Sequence, residues 1–193
     1  MEEVEMRTQV PPRHPLRQLF GALTEKSFTE HIGWPDLNVT TYVSDLLVDF
    51  THTDQLYKIR NQQDKPVDAV VDLLFESEVL LQAQSMDRER DVHQHIGDFT
   101  LFMAGLFPEY LRRLKTTGLI YHKDFIVDYV KTGKRSYGIV AQMADSSSGK
   151  EPPLFRKLSD NFELCVTALG FVRSDLDRMK DPAYRQAKDL LLN

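Results

Sequence analysis

The sequence predicts an all-α fold, a single-domain bundle of about six to eight helices. Three observations carry this expectation. Apolar residues recur three and four positions apart along most of the 193-residue chain, the spacing that gathers them on one face of a helix. No segment keeps the strict alternation of a half-buried strand. The longest run, Phe155, Leu158, Phe162, Cys165, Leu169, Val172, Leu176 and Met179, holds a heptad rhythm without a miss.

Residues 1–14 read as a flexible tail, because Pro11 and Pro12 block a regular helix. A first helix starts at Pro15, tolerated in the first turn, with Leu16, Leu19, Phe20 and Leu23 inward. His31 to Asn38 reads as a loop around Gly33 and Pro35. Asn38 then caps a second helix with Val39, Val43, Leu46, Leu47 and Phe50 on one side. Pro66 opens a third helix reaching about Ser85. Asp87 caps a fourth that runs to about Phe107. A fifth starts at Asp124, with Gly133 a point of interruption. DSSSGKEPP, residues 145–153, forms a mobile loop. The heptad run then predicts one continuous helix over 154–180, on the order of 37 Å long at 1.5 Å per residue. Its stripe serves either packing inside the bundle or a seam between two chains. Asp181-Pro182 stops it and starts a short final helix, so the helical domain covers 15–193.

Composition narrows the function classes. The formal net charge is −5, which argues against a broad phosphate-binding face, so nucleic acid is not an expected partner. A local basic groove through Arg112, Arg113, Lys115, Lys134 and Arg135 is the least favoured reading. A single cysteine, Cys165, precludes an internal disulfide and fits a reducing compartment. The N-terminus has no apolar leader segment, and no stretch approaches the roughly 18 apolar residues of a membrane span. The expectation is a cytoplasmic protein that does not enter the membrane.

The chemistry concentrates in the fourth helix, where MDRERDVHQHIGDFTLFMAGLF passes from charge to apolarity and strands Asp98 at the boundary. A carboxylate entering a core is costly unless paired or hydrogen-bonded. At about 100° per residue, Asp91, His95, Asp98 and Phe102 form one row. His95 is therefore the nearest partner for Asp98, with Asp91 flanking His95 one turn earlier. Gly97, Leu101, Ala104 and Gly105 form the opposite side, where another helix backbone can come close. His93 lies about 160° from His95, so the two do not chelate one ion from a regular helix.

Other helices supply further members of a buried polar cluster. Glu78 sits at the edge of the third helix's apolar side. Arg135, in KTGKRSY, reads first as part of a solvated basic patch and second as a basic partner for Asp98 in the core. Asp45, Asp49 and His52 form a row on the second helix. If that row faced the fourth helix, His95, Asp98, Asp49 and His52 would make a donor set adequate for zinc or iron. Trp34 and Tyr42 are candidates to line a pocket.

No His-Glu-x-x-His, Gly-x-Ser-x-Gly, Gly-x-Gly-x-x-Gly or Cys-x-x-Cys is present. Neither a cofactor nor an enzymatic activity is assigned by the residues. The favoured expectation is a non-enzymatic module that binds a protein partner or forms a homodimer. The alternative is a metal- or small-ligand-binding bundle, including an enzyme, with a His/Asp site on the fourth helix.

Overall fold

The computed structural model describes residues 14–51, 86–110, 129–144 and 154–192. These residues form eight helical elements and no strand, an all-α bundle. Residues 1–13 of the expected tail, the expected third helix with Glu78, His52, the expected helix start at Asp124, the whole 145–153 loop and the Arg112, Arg113 and Lys115 group lie outside the described residues.

Helix α1 spans Pro15–Lys26, with His14 as its N-cap: Leu16 N–H donates to His14 Nδ1 at 3.3 Å. Contrary to the loop expected from His31, the chain continues as π-helical turns over Ser27–Ile32. Gly33, at φ 71°, ends them, and its N–H and that of Trp34 both donate to Phe28 O. A side chain is strained at that φ, so glycine suits the stop.

Helix α2 covers Leu37–Asp49. Its cap is Asp36 rather than Asn38: the Asp36 carboxylate accepts from Asn38 N and Val39 N at 3.1 and 3.2 Å. Lys157 donates to the other oxygen at 2.7 Å. That bond, more than any other influence, holds the Asp36 carboxyl below its ordinary range.

Helix α3 is Met86–Leu106 and α4 is Tyr129–Ala144. Gly133 does not interrupt α4. It instead makes room for Phe162 and Thr100, since a Cβ there would overlap both side chains.

The single long helix expected over 154–180 is two segments, α5 at Leu154–Asp160 and α6 at Phe162–Met179. Asn161 separates them, at φ −116° and ψ 29°. Its side-chain amide and its backbone N–H both donate to Lys157 O at 3.0 Å. A polar side chain competing for a helical carbonyl is a recognised cause of such a distortion. The heptad stripe survives the break: Leu158, Phe162, Cys165, Leu169, Val172 and Leu176 are all buried within this chain. It is therefore taken up by packing inside the bundle, while Met179 falls outside the core. Helix α7, Pro182–Leu192, follows Lys180 and Asp181. Tyr184 anchors it, stacking on Phe107 at 5.7 Å.

Helix α3 lies between α4 and α6. A methyl group at Gly97 would overlap the Tyr137 ring, and one at Gly105 would overlap Leu169. The small-residue side read from the sequence is thus the side on which neighbouring helices come close. Where α1 and its π-helical continuation meet α6, Ser27 Oγ donates to Ala168 O at 2.7 Å and Lys26 pairs with Asp175 at 3.1 Å.

Thr24 is fully buried and its hydroxyl has no hydrogen-bond partner among the described residues. An unmade hydrogen bond in a core costs about 1–3 kcal/mol. Thr24→Val, which keeps the shape and removes the hydroxyl, should raise the urea-unfolding free energy by about 1 kcal/mol. Thr24→Ser, which keeps the hydroxyl and removes a methyl, should lower it by about 1 kcal/mol.

Candidate functional site

Asp98 is 8 % exposed, at the boundary of the core as its place in the sequence predicts. Among the described residues, two tyrosines from different helices donate to its Oδ1. Tyr42 of α2 donates at 2.6 Å and Tyr137 of α4 at 2.7 Å. Gln94, one turn before Asp98 on α3, donates from Nε2 to the Tyr42 hydroxyl at 3.2 Å. One carboxylate oxygen thereby joins α2, α3 and α4.

The aromatic bodies of the two tyrosines pack against each other and against neighbouring rings. Tyr42 and Tyr137 meet edge to face at 6.4 Å, and Phe155 of α5 lies 5.5 and 5.7 Å from them. Phe162 lies 5.8 Å from Tyr137. These separations are those of rings in mutual contact. Burial, followed by the negative charge of Asp98, pushes both hydroxyls well above their ordinary pKa. Both stay protonated at neutral pH, as donors to a carboxylate must.

His95 is 1 % exposed. Its ring lies 6.0 Å from Phe50, in an edge arrangement, and 6.3 Å from Phe99. Among the described residues, the hydroxyl donors to Asp98 Oδ1 are the two tyrosines, where helical projection offers His95.

Two expected members of the cluster are elsewhere. Asp91 is exposed, because α3 enters the core only at Val92. Arg135 is also exposed. Gly133, Ser136, Tyr137 and Val140 turn inward from α4, which puts Arg135 on the outer side of that helix. Tyr137 takes the place proposed for it. On α2, Asp45 pairs with Arg17 of α1 and Asp49 is half-buried. No group of three or more His, Cys, Asp and Glu able to hold a metal ion occurs among the described residues. The basic segment is partly neutralised, as Lys134 pairs with Glu163 at 2.9 Å.

The sequence offers Tyr42 as a candidate to line a pocket and assigns Tyr137 no role, so the two hydroxyl donors go unread. The burial of His93, which is 5 % exposed, is missed as well. A signal existed for His93 alone: it shares one helical row with Gly97, on the small-residue side of the helix. Cys165 is buried, and burial pushes its thiol up to about 12, so it is not a nucleophile at neutral pH.

No protein-family model matches the chain, and neither a curated protein nor a solved structure matches it. No helix among the described residues is long and apolar enough to cross a membrane.

Removing one hydroxyl takes a donor from a buried carboxylate, worth about 1.5–3 kcal/mol. Tyr137→Phe should cost that much in urea unfolding. Tyr42→Phe should cost less, since Tyr42 lies at the half-buried edge where water can replace it. The raised tyrosine pKa values also fix an alkaline limit. Their contribution is intact below the unfolded value near 10 and is lost as pH rises through the folded values. Stability should therefore fall above about pH 10, and less steeply in Tyr137→Phe, as followed by circular dichroism.

Proposed function

We propose that this chain is a non-enzymatic helical module of the cytoplasm that works by association, with a protein partner or with a second copy of itself. The observation that carries the reading is the closure around Asp98. The residues most suited to chemistry are enclosed: Asp98 Oδ1 is shared by two hydroxyls, His95 is packed against phenyl rings, and Cys165 is buried with a raised pKa. A catalytic base needs a substrate proton within hydrogen-bond reach, and one oxygen of this carboxylate already holds two tyrosine hydroxyls. On this reading the Asp98 cluster holds helices together, and the outer surface does the work. Leu37, Met86, Leu164, Phe171 and Met179 are large apolar side chains left exposed there. The lone buried cysteine supports a reducing compartment.

The test combines sedimentation velocity with elemental mass spectrometry on protein purified without tag or chelator. The reading predicts metal-free protein with a mass above the 22.3 kDa of one chain at micromolar concentration, alone or with a co-purifying protein. Monomeric protein with near-stoichiometric zinc, iron or manganese, lost in His95→Ala, would overturn it in favour of a metal site.

A further inference from the structure

His93 lies in the contact between α3 and α4, on the row that leads one turn later to Gly97. Its ring is buried, and its Nδ1 faces Ser136 Oγ of α4 at 3.4 Å. A hydroxyl satisfies a neutral imidazole but does not compensate an imidazolium charge. Arg135, beside Ser136 on α4, adds a positive field. On α3, Glu89 is half-buried one turn earlier and Arg90 is exposed. Among the described residues, no carboxylate of α2, α3, α4, α5 or α6 is hydrogen-bonded or ion-paired to the ring. The nearest neighbours in sequence of its partners are those of the Asp98 cluster: Tyr137 follows Ser136, and the Tyr137 ring fills the space above Gly97.

We propose that His93 is an acid-sensitive latch on the α3–α4 contact: proton uptake by its ring places a second positive charge beside Arg135, parts the two helices and frees Tyr137 from Asp98. The inference is independent of the association reading. Burial, then the field of Arg135, holds the His93 pKa below its ordinary 6.5. The ring is therefore neutral in the closed contact, while an opened contact binds a proton below about pH 6.5. The latch is fully effective above that value and fails as pH falls toward the depressed one. One proton taken up on opening raises the opening equilibrium by up to about tenfold per pH unit.

The test is a carbon-13 histidine titration by NMR on the full chain, joined to amide hydrogen exchange of α3 and α4 corrected for intrinsic rates. The His93 signal should titrate below 6.5 and move upward in Arg135→Gln. Exchange across the contact should accelerate by up to about tenfold per pH unit below 6.5, and His93→Gln should abolish the acceleration. An ordinary or raised His93 pKa, or the same acceleration in His93→Gln, would overturn the latch. Arg135 is exposed, so its variant keeps the test decisive should His93→Gln not fold: an unmoved His93 titration then counts against the proposal.

Discussion

A carboxylate placed inside a helical core must be given donors, and most of this architecture serves that demand. Asp98 Oδ1 draws one hydroxyl from α2 and one from α4. For the second to reach, the Tyr137 ring must lie on α3 itself, and it does so because position 97 is glycine. Once α4 is this close, Gly133 admits Phe162, and α6 follows into the space beside Gly105. The polar cluster and the closest helix contacts are thus one arrangement.

The apolar core supplies the bulk of the stabilisation around this centre, as expected of buried aliphatic and aromatic surface. The tethers at the periphery mainly set direction. Asp36 caps α2 and binds Lys157 of α5; Lys26 and Ser27 fix the end of α1 on α6. Ion pairs at the surface are worth little individually. Their value here is to orient helices whose apolar faces would tolerate sliding. A buried carboxylate with two directed donors is more selective, because a shift of either helix leaves a charge unsatisfied.

Much of this was legible in the sequence, and the reasons are specific. The heptad spacing of Leu158 to Leu176 identified a buried stripe, because helix period and burial are both local properties. Asp98 and His95 were recognisable as buried because their neighbours in helical projection are apolar. The donors to Asp98 were not recognisable. They lie 56 and 39 residues away, and a tyrosine in an apolar stripe announces its ring rather than its hydroxyl. Helical projection also orders residues around an axis without saying where along that axis the core begins. Asp91 was misplaced for that reason, and Arg135 because the inward side of α4 is set by Gly133 and Tyr137. The break at Asn161 escaped because it depends on hydrogen-bond competition for Lys157 O, which apolar spacing does not record.

The central claim, that Asp98 and its tyrosines act as a unit, is tested most directly by a double-mutant cycle of Asp98→Ala and Tyr137→Phe in urea unfolding. Without the carboxylate, the buried Tyr137 hydroxyl becomes an unpaid desolvation cost. Tyr137→Phe, destabilising in the native background, should therefore become neutral or stabilising in Asp98→Ala, a coupling above about 1 kcal/mol. Equal cost in both backgrounds would contradict the account and reduce Asp98 to a boundary residue whose bonds to tyrosine do not organise the fold.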